Sequence, residues 1–136
     1  MPALIIILHV EDDSDDVELL QEAFDNNDLS VSIEVLKQGD VVLPWLESGK
    51  MLPNVIVMDL NLPKLHGREI LGRIKSHPKF KSIPLVVLTT SSSQTDLDYC
   101  LKLGADEFIT KPSTVEGFNR TVAIIMDVVQ KSKDRL

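Results

Sequence analysis

The chain has 136 residues, of which 43% are hydrophobic, 26% charged and only 4% aromatic. That is the size of one domain able to bury its own core, and the balance excludes a wholly disordered chain. A single cysteine, Cys100, excludes an internal disulfide and leaves a zinc finger or an iron–sulfur cluster without ligands, while 14 basic against 21 acidic residues (net charge −7) with no run of Lys and Arg argue against direct nucleic-acid binding.

The apolar run Leu4–Leu8 is too short to span a membrane and follows no basic segment, so a cytoplasmic protein with no membrane contact is expected. In chain order, Leu4–Val10 predicts a strand and Ser14–Asn26 a helix with apolar spacing at Val17, Leu20 and Phe24. Val31, Ile33 and Val35 alternate with polar residues, as in a half-exposed strand. Asp40–Ser48 predicts a short helix holding Trp45, with Pro44 tolerated in its first turn. Val55–Leu60 predicts a third strand and His66–Ser76 a helix. Leu85–Leu88 predicts a fourth strand, and Thr95–Leu103 a helix stopped by Gly104. Glu107–Thr110 predicts a short fifth strand. Val115–Lys131 predicts the longest helix, with a stripe of Val115, Phe118, Val122, Ile125, Met126 and Val129.

Strand and helix thus alternate five times, which predicts an α/β fold: a five-stranded parallel sheet with helices on both faces. The first, third and fourth runs are continuously apolar and suit the centre; the second and fifth suit edges. Right-handed crossovers then give the order 2-1-3-4-5, with a ligand crevice beyond the carboxyl ends of strands 1 and 3.

Acidic residues collect at that crevice. Glu11, Asp12 and Asp13 follow the first strand and Asp59 closes the third. Such carboxylates ionise together only with a cation among them, and hard oxygen ligands suit Mg²⁺. Thr89 closes the fourth strand with a hydroxyl, and Lys111 follows the fifth with an ammonium. Lys111-Pro112 also offers a cis peptide that would aim the lysine inward. Alone, an aspartate after a strand is more often a helix cap than a nucleophile; five such residues on one rim reverse that reading.

The segments Val10-Glu11-Asp12-Asp13, Val57-Met58-Asp59-Leu60-Asn61-Leu62-Pro63, Leu88-Thr89-Thr90, Gly104-Ala105-Asp106-Glu107-Phe108 and Lys111-Pro112 together resemble the receiver domain of two-component response regulators, over essentially the whole chain. Asp59–Gly67 and Ile83-Pro84 through Thr89-Thr90-Ser91 look most like stand-alone receivers associated with bacterial phytochromes. The resemblance implies a flavodoxin-like fold of receiver type and a single receiver domain over 1–136 without an output domain. It implies that Asp59 accepts a phosphoryl group, that Asp12 binds Mg²⁺ directly and Glu11 through water, and that Asn61 adds its backbone carbonyl. Thr89 and Lys111 would bind phosphoryl oxygens, and Phe108 would be the aromatic switch residue. The implied partners are a sensor histidine kinase or phosphotransfer protein and a downstream protein target, met through helix 4, strand 5 and helix 5. Such a protein is no turnover enzyme, although it promotes its own phosphorylation and dephosphorylation. His66 before the glycine, Ser113 after Lys111-Pro112, and Phe108 in place of tyrosine depart from the common pattern.

Two rival functions are a pseudo-receiver binding module and an aspartyl-nucleophile phosphatase of the haloacid-dehalogenase type. The complete set of Glu11, Asp12, Asp59, Thr89 and Lys111 speaks against the first. The second needs an Asp two residues after its nucleophile, where this chain has Asn61. Elsewhere Leu97, Cys100 and Leu101 read as core, Trp45 as packing at the sheet edge, and Asp15 and Asp16 as acidic residues at the positive end of the first helix. Ile124 and Val128 lie outside the core stripe of the last helix, which predicts a homodimer interface there.

Overall fold

The computed structural model describes residues 4–49 and 51–134. Five parallel strands, β1 (Ile5–Val10), β2 (Val31–Leu36), β3 (Val55–Met58), β4 (Leu85–Thr89) and β5 (Glu107–Thr110), pair in the order β2-β1-β3-β4-β5. The predicted order is therefore the observed one. The helices are α1 (Ser14–Asn26), α2 (Val42–Glu47), α3 (Gly67–Lys75), α4 (Gln94–Leu103) and α5 (Val115–Asp134). A 3-10 turn at Gly39–Val41 leads into α2, which places Pro44 in the first turn.

Alternation along the central strands sorts the core into two layers, because successive side chains leave a strand on opposite faces. Leu8, Val10, Ile56, Met58, Leu85 and Val87 pack with Val42 and Leu46 of α2, Ile70, Leu71 and Ile74 of α3, and Cys100 of α4. Ile7, Val55, Val57, Val86 and Leu88 pack on the other face with Leu20 and Phe24 of α1 and Phe118, Val122, Ile125 and Val129 of α5. Every residue of β3 and β4 is buried, whereas β5 has exposed ends, as centre and edge require.

Caps fix where the helices start. Asp13 Oδ1 accepts hydrogen bonds from the N–H groups of Asp15 (2.9 Å) and Asp16 (3.4 Å) at the start of α1. The unusual His66 proves to be the cap of α3, its Nδ1 accepting from the Arg68 N–H at 3.1 Å. Gly104 ends α4 in the left-handed region (φ 113°), and its N–H reaches back to the Cys100 and Leu101 carbonyls.

Several side chains differ from expectation. Val128 is buried, 5% exposed, and Ile124 is half-buried. The reason is that α5 packs against both the sheet and α1, so its buried face is wider than one stripe. The homodimer interface expected at Ile124 and Val128 loses its basis in exposed apolar surface. Val115 opens α5 and is 65% exposed, so it lies off the core. In α4 only Cys100 is buried; Leu97 is half-buried and Leu101 is 44% exposed. This short helix meets the sheet on the narrow face that Cys100 occupies, and Leu101 lies about 100° around from it. No helix among the described residues is long and apolar enough to cross a membrane.

Candidate functional site

The carboxyl ends of β1, β3, β4 and β5 meet on one rim. The Asp59 N–H donates to the Val10 carbonyl (3.1 Å) and the Glu11 N–H to the Leu36 carbonyl (2.9 Å), so ladder bonding continues just past the strands and fixes both acidic residues. Lys111 follows β5 in the same way: its N–H donates to the Thr89 carbonyl at 2.7 Å. That bond keeps Lys111 beside the end of β4, and its ammonium reaches the carboxylates of the rim. The cis Lys111-Pro112 bond expected from the sequence is absent, since no peptide bond among the described residues is cis.

Asp59 is 5% exposed. Its Oδ1 accepts from the N–H groups of Leu60 (2.7 Å) and Asn61 (3.4 Å), and its Oδ2 accepts from Lys111 Nζ at 2.9 Å. Burial alone would raise this carboxyl, but hydrogen bonds from Lys111 and the Thr89 hydroxyl overcome it and hold Asp59 below the ordinary carboxylate range. Asp59 is thus an anion whose Oδ1 is fixed by the backbone and whose Oδ2 faces a cation. Thr89 is fully buried.

The backbone behind Asp59 is pinned by Gly67. The Gly67 N–H donates to the Leu60 carbonyl at 2.8 Å, and a Cβ at this position would lie 2.5 Å from the Asp59 carbonyl oxygen and 2.7 Å from Leu60 Cα. Both obstacles are main chain. Gly67→Ala is expected to destabilise the fold by about 2 kcal/mol, read from urea unfolding, because α3 must move off the end of β3. Unchanged stability would mean that this contact is not tight.

Glu11, Asp12 and Asp59 each offer one oxygen within 4.8 Å of the others. Glu11 is 1% exposed, and its carboxyl is pushed up to about 7, first by burial and also by the charge of Asp59, although Lys111 opposes both. Glu11 Oε1 lies 2.8 Å from Lys111 Nζ but has no aligned hydrogen bond. A buried oxygen in that state, beside two more carboxylates, suits a divalent cation. Asp12 lies exposed at the mouth, and Asn61 sits on the loop after Asp59 with its side chain exposed. Phe108 is half-buried on β5 against the α2–α4 core layer.

Two members of the surroundings were not assigned to the site from sequence. Asp16 Oδ2 accepts from Lys111 Nζ at 2.7 Å, so the lysine meets three carboxylates at once. Those anions outweigh burial and raise the lysine well above its ordinary range. His9, on β1, is 1% exposed, and its Nδ1 has no partner among the described residues. Burial and the Lys111 charge push it down to about 4, against a smaller opposing effect of Asp59, so it is neutral imidazole. Its place inside a central strand was the signal for burial.

The site connects to α4. Ser91 Oγ donates to Asp96 Oδ2 at 2.7 Å, and Thr110 Oγ1 donates to the Ser91 carbonyl at 3.1 Å. Arg68 of α3 lies 3.6 Å from Asp96 and stacks over the Tyr99 ring at 5.5 Å.

A family model for the response regulator receiver domain matches residues 7–123. The chain is 36% identical over 126 residues to a probable methanogenesis regulatory protein, FilR2, of Methanothrix harundinacea, covering 90% of this chain and 81% of that one. It is 34% identical over 122 residues to the response regulator Rcp1 of Synechocystis sp., covering 86% and 83%. Among solved structures it is similar to the phosphorylated cyanobacterial phytochrome response regulator RcpA, with TM-score 0.84, 34% identity and 92% and 93% of the two chains covered. It is also similar to the Mn²⁺-bound form of Rcp1, with TM-score 0.81, 34% identity and 90% and 92% covered. The chain belongs to the response regulator receiver domain family.

Proposed function

We propose that Asp59 accepts a phosphoryl group from the phosphohistidine of a sensor histidine kinase or phosphotransfer protein, and that the chain is a phosphoryl acceptor and not a turnover enzyme. The single observation that carries this is the environment of Asp59: a buried carboxylate that accepts from Lys111 and Thr89 and lies beside the carboxylates of Glu11 and Asp12. In the transfer, an Asp59 oxygen bonds to phosphorus as the phosphorus–nitrogen bond breaks, and that electron pair returns to the imidazole. Lys111 and Thr89 then have a donor each for the phosphoryl oxygens.

Mg²⁺ fits the acidic cluster, with Asp12, Asp59 and the Asn61 carbonyl as ligands and Glu11 acting through water. When bound, it neutralises charge on the incoming phosphoryl group. Phosphorylation draws Thr89 toward the new oxygens, Phe108 repacks, and the surface of α4, β5 and α5 changes for a downstream protein; this is a shift between two packings. RcpA has been captured phosphorylated and Rcp1 with Mn²⁺, which supports the same chemistry in this relative.

Incubation with acetyl phosphate and Mg²⁺ tests the proposal: intact mass is expected to rise by one phosphoryl group, and EDTA to prevent it. No gain with Mg²⁺ present would contradict it. The metal has its own test. Millimolar Mg²⁺ is expected to raise the melting temperature by mass action, and Asp12→Ala to abolish the rise. An equal rise in Asp12→Ala would place the ion elsewhere.

A further inference from the structure

The Lys111 ammonium has one partner that phosphoryl acceptance does not require. Asp16 is the third residue of α1, and its Oδ2 accepts from Lys111 Nζ at 2.7 Å across 95 residues of sequence. The Asp59 contact to the same ammonium is 2.9 Å. Asp16 is not one of the three carboxylates of the acidic cluster. The helix does not need it as a cap, because Asp13 already accepts from the first free N–H groups. Asp15 carries the same charge in the same turn, yet its carboxylate is exposed and pairs with no cation among the described residues.

An ammonium has three protons to donate, and Asp59, Asp16 and Glu11 surround this one. A phosphoryl oxygen on Asp59 needs one of those protons and must compete with Asp16 for it. The Asp16 charge, bound to the same ammonium as Asp59, also repels an incoming phosphoryl dianion.

We propose that Asp16 is a positioning residue that competes with the phosphoryl group for the Lys111 ammonium, and so slows phosphorylation of Asp59 and weakens the phosphorylated state. This rests on Asp59 being the phosphoacceptor. Asp16→Asn keeps the shape and a hydrogen-bond acceptor but removes the charge. Asp16→Ala removes both.

The test compares wild type, Asp16→Asn, Asp16→Ala and Asp15→Asn, all with Mg²⁺. In the reaction with acetyl phosphate, the phosphorus–oxygen bond to acetate breaks, acetate leaves with the electron pair, and an Asp59 oxygen bonds to phosphorus. Intact mass gives the rate, and calorimetric titration with beryllofluoride, a phosphoryl mimic, gives affinity for the occupied state. Both Asp16 variants are expected to be phosphorylated about threefold faster or more, and to bind beryllofluoride tighter by a similar factor. Asp15→Asn is expected to match wild type, because a change in helix-end charge alone does not touch Lys111. Asp16 variants that are equal to wild type or slower would overturn the proposal, as would an equal gain in Asp15→Asn. If wild type itself takes no phosphoryl group, the phosphoacceptor reading fails and this proposal with it. A labelled wild type with unchanged Asp16 variants overturns only the role of Asp16.

Discussion

Asp59→Asn is expected to take no phosphoryl group from acetyl phosphate under conditions that label the wild type fully, while keeping the fold. The substitution keeps size and shape. An amide oxygen can still accept from the Leu60 N–H, which holds Oδ1 at 2.7 Å. The nucleophile is lost, because an amide oxygen does not displace a leaving group from phosphorus as a carboxylate does. One of the three oxygens of the acidic cluster loses its charge as well. Lys111 retains Glu11 and Asp16, so no cation is left buried alone. Intact mass and far-ultraviolet circular dichroism read the two halves of this result. Equal labelling of a folded Asp59→Asn would remove Asp59 from the chemistry.

Lys111→Met is expected to destabilise the metal-free protein by about 3 kcal/mol near neutral pH, since it leaves buried carboxylates without their cation. Methionine replaces the apolar stem of a side chain only 9% exposed, so the lost charge dominates over lost packing. The sign of the pH dependence follows from the shifts. With Lys111 present, Asp59 lies below its unfolded value of 3.8, so it contributes stability above that pH and loses it as pH falls through the folded value. Without Lys111, burial is opposed only by the Thr89 and backbone hydrogen bonds, so Asp59 moves up and Glu11, already raised, moves up further. Raised carboxyls contribute stability below their unfolded values of 3.8 and 4.5, and lose it as pH rises through the folded ones. The deficit of Lys111→Met is therefore small near pH 4 and grows toward neutrality. Urea unfolding with EDTA across that range checks it, and Mg²⁺ is expected to recover more stability in the variant than in the wild type. A deficit independent of pH would mean that packing, not charge, is what Lys111 supplies.

The strand order was legible because composition separates centre from edge. Val55–Met58 and Leu85–Leu88 are unbroken apolar runs, whereas Val31–Leu36 alternates. Asp59, Thr89 and Lys111 were legible for a related reason: each closes or directly follows a strand, so topology alone brings them to one rim. The carboxyl group of Asp16 could not be placed in this way. It reaches Lys111 only because of the angle at which α1 leaves β1, and a sequence contains no such angle. Val128 was misplaced because the burial of one helix face depends on how many elements pack around it. Leu101 is the converse, an apolar residue on a helix that meets its neighbours along a narrow strip. The inward aim of Lys111 was read from a cis bond to the proline that follows it, but that bond is not cis and the ammonium still reaches Asp59.

Loss of labelling in a variant is indirect evidence for a covalent bond, since a distant change can also disable a site. Borohydride reduction reads the bond itself, because it converts an aspartyl phosphate to homoserine and leaves a free carboxylate intact. Wild-type protein treated with acetyl phosphate and Mg²⁺, then reduced and mapped by peptide mass spectrometry, is expected to carry homoserine at position 59 and nowhere else. Homoserine at position 12, 13 or 16, or full labelling with position 59 unreduced, would contradict the assignment of Asp59 as the phosphoacceptor.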